Sequence, residues 1–352
     1  MTITTLVILV VLTSLISTPT ISTAFRIVNL LNTASKTARF AACSIQEARI
    51  PLKSGVTAQV LSSTPSNPTK PTLAFVHGSF HAAWCWTEYY FPYFTDLGYP
   101  VVALSLRGTG GTFAGQGVNK VKIQEHAKDL QAFLDQLTSD QKLKPVLISH
   151  SFGGLAVMKH LEMHPNSVSK LGGIVVMCSV PPSGNGKMTL RFLQRSLTDS
   201  WKITTGFAMK KCIESEPLCR DLFFGGQRGD NGNNDDFGVS TNDIQRYQSY
   251  FKRDTEAIID VVDLMKNLPS KNAIAGKAPF LDQCPPCIVV GASRDFIVDR
   301  AGLDETATFF GVETPTIVDS PHDIMLGRNW KNGADVIDSF VRNEIISKGA
   351  RR

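Results

Sequence analysis

The sequence predicts an α/β fold: a mostly parallel, doubly wound sheet with a helical lid inserted after the sixth strand. Three observations carry that expectation. Short apolar runs alternate with longer helical patterns over most of the chain. Several runs, such as Val146–Ser149 and Ile174–Met177, are apolar almost without a break, as parallel strands covered on both faces are. The alternation lapses between Val180 and about Leu281 and then resumes.

Taken in order, residues 1–43 read as a targeting leader rather than as fold. A hydrophobic run starts at Leu6 and reaches about Ile16, the length of a signal-peptide core and short for a membrane span. Small residues end that segment at Ser22-Thr23-Ala24. From Phe25 to about Cys43 the chain is rich in Ser, Thr, Ala and Asn, carries Arg26, Lys36 and Arg39, and has no acid. That composition resembles a plastid transit peptide. The expected address is a plastid reached through a signal and a transit segment, with secretion as the alternative.

Residues 44–346 are expected to form one domain and 347–352 a basic tail. Ser44–Lys53 and Ala58–Ser63 read as an antiparallel strand pair. Leu73–His77, Val101–Leu106, Val146–Ser149, Ile174–Met177, Ile288–Gly291 and Thr316–Val318 read as the other strands. Helical patterns cover Trp86–Leu97, Ile123–Leu137, Phe152–His164, Asp304–Phe310 and Trp330–Ile346. The lid, about 180–281, holds two helical stretches and a Gly/Asn-rich run from Gly225 to Asp236. Phe207, Met209, Leu222, Phe223, Phe224 and Tyr250 are candidates for its apolar face, which suggests a pocket for a hydrophobic acyl or alcohol group or simply packs the lid down; transient contact with a membrane surface is expected through the lid.

Pro145-Val146-Leu147-Ile148-Ser149-His150-Ser151-Phe152-Gly153-Gly154 carries the chemistry. An apolar run ends at a Ser flanked by small residues, and a helical pattern follows at once. That is the layout of a nucleophile elbow, a tight turn that holds a Ser hydroxyl at the end of a sheet. Ser149 stands where Gly is usual. A Ser hydroxyl is a poor nucleophile until a base takes its proton. A His suits that task at neutral pH, and a carboxylate fixes the His tautomer. Downstream, Asp295 follows directly on the strand ending in Gly291, and His322 follows the last strand in Ser320-Pro321-His322-Asp323. Asp299 competes with Asp295 but lies four residues further from the strand.

Three stretches resemble the α/β-hydrolase superfamily in its serine-nucleophile branch. They are His77-Gly78-Ser79-Phe80-His81-Ala82-Ala83-Trp84-Cys85-Trp86, Ser105-Leu106-Arg107-Gly108 and Pro321-His322-Asp323-Ile324-Met325. The chain order Ser, Asp, His belongs to the same superfamily. The first stretch is similar to plant methylesterases and hydroxynitrile lyases, and to lysophospholipase-like and plastid lipase-like members. The resemblance implies Ser151 as nucleophile, His322 as base and Asp295 as the residue orienting it. It implies Phe152, with Ser79 or Phe80, at the oxyanion hole. His77, Gly78, His81 and His150 are candidates for the substrate pocket, although His81 and His150 read equally as packed structural residues. No metal and no organic cofactor is implied. The implied activity is cleavage of a carboxylic or lipid ester through an acyl-enzyme. An acyltransferase using the same triad, or a ligand-binding protein with a silent site, is the alternative.

Composition agrees with one globular catalytic domain: 43% of the 352 residues are hydrophobic and 19% charged. The net charge is +5, and loss of the leader with its three cations would leave +2. That bias is too small to point to nucleic acid, and no basic stripe interleaved with aromatics occurs. Seven cysteines, an odd number, do not suit a fully paired framework. Cys284-Pro285-Pro286-Cys287 lacks a second pair, so zinc is not expected there. It reads as a thiol switch or as two free thiols. Cys212 and Cys219 are candidates for a bridge across the lid.

Overall fold

A computed structural model of the protein describes residues 43–52, 55–138, 143–195, 201–203, 205–206, 210–225 and 239–347. The expected leader up to residue 42, Phe207, Met209, the run 226–236 and the tail beyond 347 lie outside the described residues.

Four short strands set the frame. β3 (Leu73–Val76), β4 (Val101–Leu104), β6 (Val146–His150) and β7 (Gly173–Met177) are buried at every position. Their side chains are mostly apolar on both faces, so each strand needs a layer on either side. They pair in parallel, with Leu73 opposite both Val101 and Val146, and Val146 opposite Gly173. β9 (Cys287–Arg294) and β10 (Thr316–Pro321) extend the sheet in parallel. At the other edge β2 (Thr57–Ser63) runs antiparallel to β4, and β1 (Gln46–Pro51) antiparallel to β2. The order is β1-β2-β4-β3-β6-β7-β9-β10. From β3 the chain turns to β4 on one side, then crosses to β6 on the other. The loops after β3 and β6 therefore flank the topological switch point, where such sheets bind ligands.

Successive residues of a strand point to opposite faces. Phe75 joins the layer with α1 (Tyr90–Asp96) and α9 (Trp330–Phe340). Ala74 and Val76 join the layer with α2 (Ile123–Thr138), α3 (Phe152–Met163) and α8 (Arg300–Phe309). The first ten residues of α3 are all buried, which explains why that helix shows little amphipathic pattern. Phe75 lies 4.8 Å from Trp86, 6.0 Å from Phe91 and Phe94, and 6.2 Å from Tyr90, centroid to centroid.

Between β7 and β9 the described chain is helical, as expected of an insertion after the sixth strand of the large sheet. It contains α4 (Asn185–Arg195), α5 (Glu216–Phe223), α6 (Thr241–Arg253) and α7 (Val261–Lys266), four helices where the sequence suggests two. α7 has six residues, too few to display a 3.6-residue period. Ser215, Ser240 and Asp260 cap α5, α6 and α7 with side-chain acceptors. A short parallel pair, β5 (Lys120–Val121) with β8 (Ile258–Ile259), ties the insertion to the loop after β4. Asp254 makes a second tie: its buried carboxylate accepts from Trp84 Nε1 at 2.7 Å and from the Gly110 amide at 2.9 Å. All seven cysteines are free thiols, so neither Cys212 with Cys219 nor Cys284 with Cys287 is bridged.

Phe75 touches four aromatic rings in a layer that cannot collapse around a smaller side chain. Phe75→Ala is expected to lower unfolding stability by about 3–5 kcal/mol, read from the midpoint of guanidinium denaturation.

Candidate active site

Ser151 sits between the last residue of β6 and the first of α3, at φ 52° and ψ −123°. A non-glycine residue adopts that conformation only when its surroundings enforce it. Its amide donates to Met177 O at 3.0 Å, and its carbonyl accepts from Gly154 and Val180 at 3.0 and 3.2 Å. The small residues around it are a steric requirement. A Cβ on Gly153 would stand 2.5 Å from His77 O, one on Gly154 2.1 Å from Ser179 Oγ, and one on Gly78 2.8 Å from Ser151 Cβ.

The structure brings Ser151, His322 and Asp295 into one hydrogen-bonded row. His322 Nε2 is 3.1 Å from Ser151 Oγ, and His322 Nδ1 is 2.9 Å from both oxygens of Asp295. Asp295 Oδ1 also accepts from the amides of Ile297 and Val298, at 2.8 and 2.9 Å. These two amides fix the carboxylate independently of His322. Asp299, the competing acid, is used elsewhere. It caps α8 through Gly302 N and holds Arg191 of α4 by two bonds of 2.6 and 2.7 Å.

Phe152 is the first residue of α3, where an amide has no intrahelical acceptor. Ser79 and Phe80 lie in the loop after β3, and Phe80 has a positive φ of 66°. Gly78 abuts Ser151. His77 and His150 are both buried and hydrogen-bonded to backbone groups. His77 is fully buried; its Nδ1 bonds Gly78 O at 2.8 Å, and its Nε2 accepts from the Leu106 amide at 2.9 Å. That amide needs an acceptor, and His77 ties the β3 and β4 loops together by supplying one. His150 Nε2 bonds the His322 carbonyl at 2.9 Å. Burial holds the His77 pKa down at about 4, and burial with the neighbouring His322 holds that of His150 well below its ordinary value. Both are neutral imidazoles.

His81 differs, for a reason the sequence did not reveal. Its Nε2 is 3.0 Å from Asp323 Oδ2 and its Nδ1 is 2.8 Å from Ser79 O. Burial alone would lower its pKa; the Asp323 carboxylate and the two hydrogen bonds outweigh that and raise it. Asp323 follows His322 in the chain, so the pair joins the loop after β3 to the loop that carries His322. A carboxylate directly beside the expected base was the available signal. Asp254 offered no such signal, since only tertiary contact gives it partners.

The inserted segment closes the site. Phe223 of α5 lies 6.4 Å from the His322 ring, 5.8 Å from His81 and 6.1 Å from Phe80. Its carbonyl accepts the Asp323 amide at 2.9 Å. Ser151 is 7% exposed and His322 1%. A recess of about 520 Å³ reaches Asp295 and Cys178 from the side of α8. A larger one of about 740 Å³, between α2 and the end of α3, touches no member of the row.

Two outcomes follow. Asp323→Ala leaves His81 as an unpaired buried group and is expected to cost about 3–5 kcal/mol. The exposed Asp319→Ala is expected to stay within about 0.5 kcal/mol. Paired denaturation curves check both. The second concerns pH. His77 and His160 are held by burial at about 4 and His126 at about 3, whereas the unfolded chain binds these protons near 6.5. Between those values the unfolded state holds more protons. The contribution of these three histidines is therefore full above about 6.5 and falls as pH drops towards 4, by up to about 1.4 kcal/mol per unit for each. His81, whose pKa is raised by Asp323, acts in the opposite sense: its contribution is present below the unfolded value and is lost as pH rises. Stability measured at pH 7, 6, 5 and 4 should fall less steeply in His126→Gln; an unchanged slope would overturn the assignment.

A family model for the alpha/beta hydrolase family matches residues 73–328, more than half of the chain. The chain is 31% identical over 100 residues to Methylesterase 2 of Arabidopsis thaliana, which is 28% of this chain and 37% of that protein. A second relative from the same plant, a methylesterase-type protein named as chloroplastic, is 26% identical over 153 residues, 42% of this chain and 36% of its own length. The chain thus spans well under half the length of these relatives. Among solved structures it superposes on Epoxide Hydrolase A from Mycobacterium thermoresistibile with a TM-score of 0.60, covering 85% of this chain and 99% of that one. At 19% identity that likeness bears on the fold alone. The sheet order, the elbow between β6 and α3 and the span of the family model agree, and the chain belongs to the alpha/beta hydrolase family.

Proposed function

We propose that this protein is a serine hydrolase that cleaves a carboxylic ester through an acyl-enzyme. The observation that carries the reading is the Ser151–His322–Asp295 row. His322 Nε2 takes the Ser151 proton as Oγ attacks the ester carbonyl. Asp295 holds the Nδ1–H tautomer and stabilises the imidazolium that forms. The Phe152 amide, with one from the Ser79–Phe80 loop, stabilises the oxyanion, a contribution of about 3 kcal/mol per donor. His322 then protonates the leaving alcohol, and water attacks the acyl-enzyme with the same base. A nucleophile that opened an epoxide would be a carboxylate, and Ser151 occupies that position.

The named methylesterase relatives support a small alcohol group. The aromatic closure by Phe80, Phe223 and Phe251 supports an apolar acyl group, lipid-derived esters included. Exposed Leu190, Trp201, Val261, Val262 and Met265 on the insertion support transient contact with a membrane surface. The acid-free leader and the chloroplastic name of one relative support a plastid address.

A fluorophosphonate probe followed by peptide mapping tests the mechanism. A single adduct at Ser151 is expected, lost in Ser151→Ala and His322→Ala. Asp295→Asn is expected to lower kcat for a methyl ester by roughly 10⁴-fold. Labelling at another serine, or undiminished turnover in Ser151→Ala, would overturn the proposal.

A further inference from the structure

We propose that a borderline or soft divalent cation such as zinc or cadmium binds at His150, Cys178 and His322, behind the catalytic row, and reversibly switches the enzyme off. The three side chains come from the ends of β6 and β7 and from the loop after β10. All are buried, and one ring nitrogen of each histidine and the Cys178 sulfur lie within 4.8 Å of one another. Two imidazoles and a thiol form a donor set suited to such cations.

His150 has a nitrogen to spare. His150 donates through Nε2 to the His322 carbonyl, which leaves the lone pair on Nδ1, and Nδ1 has no hydrogen-bond partner among the described residues. The Asp295 carboxylate, 2.9 Å from His322 Nδ1, is at hand as a fourth ligand. Zinc–nitrogen bonds of about 2.0–2.1 Å and zinc–sulfur bonds of about 2.3 Å place donors about 3.5 Å apart, so the cluster contracts by roughly 1 Å on binding. The recess of about 520 Å³ that ends on Cys178 and Asp295, past Phe192, Phe296 and Leu303, supplies a path for the ion.

The step balances without redox chemistry. The Cys178 S–H bond breaks, a sulfur–metal bond forms, and the proton leaves to solvent, as metals enforce on a coordinating thiol. His322 has two ring nitrogens, one facing Asp295 and one facing Ser151. Coordination through either one removes the base from the row, so binding and catalysis exclude each other. The loss of activity rests on the serine-hydrolase reading; the binding of the ion does not.

The test uses the full chain and two readouts. Cadmium is titrated against the protein and against Cys178→Ala, and the thiolate-to-metal absorption is compared. Fluorophosphonate labelling of Ser151 is then timed with and without zinc. The expected result is a Cys178-dependent thiolate band of one equivalent. Labelling of the parent is expected to slow at least tenfold with zinc and to recover with EDTA, while Cys178→Ala changes less than twofold. Equal zinc sensitivity in parent and variant, or no difference in the cadmium band, overturns the site. A Cys178-dependent band in a chain that no probe labels leaves the site standing and refutes the hydrolase reading instead. Cys178→Ser keeps a hydroxyl donor beside Asp295 while removing the soft ligand, and serves the same comparison if the alanine variant does not fold.

Discussion

The backbone of Ser151 is held at φ 52° and ψ −123°, a conformation that costs an ordinary residue about 1–3 kcal/mol. It persists because β6 and α3 are both buried and leave the turn between them no slack. The amide is taken by Met177 of the neighbouring strand, and the carbonyl is shared by Gly154 and Val180. The rest of the site inherits its geometry from this turn. Gly153 packs against the β3 backbone with no room for a Cβ, so α3 starts beside the loop that carries Ser79 and Phe80.

The core was legible because its signals are local. β6 and the start of α3 announce themselves within ten residues, and Asp295 and His322 each stand directly at a strand end. The choice of Asp295 over Asp299 was legible for the same reason: one continues the strand, and the other begins a helix it goes on to cap. What could not be read depends on distant residues meeting. His81 and Asp323 are 242 positions apart; the place of Asp323 beside His322 marks it as notable but does not say which ring it meets. The motif around His77 does not reveal that the Leu106 amide, from the loop after β4, takes its Nε2. The number of helices in the insertion was illegible because short amphipathic segments display too few turns to show a period.

Burial explains how the imidazoles divide the work. Four histidines, His77, His81, His150 and His322, crowd the ends of β3, β6 and β10, and all are at most 1% exposed. A buried cation without a partner is expensive, so charge is tolerated only beside a carboxylate. Two carboxylates are present, Asp295 and Asp323, and each faces one ring. His77 and His150 have none, and burial keeps them neutral. The site therefore separates two rings that face a carboxylate, His322 and His81, from two that burial keeps neutral.

Access and chemistry meet at the residue after the base. The Asp323 amide donates to Phe223 of the insertion, while its carboxylate holds His81. Asp323 therefore couples three segments in one residue: α5 through its amide, the loop after β3 through its carboxylate, and His322 through the chain itself. The low dielectric of a buried site strengthens the ion pair, and Phe223, 5.8 Å from the His81 ring, is part of what buries it. The insertion thus contributes to the site twice, by covering it and by completing the hydrogen bonding of the residue beside His322.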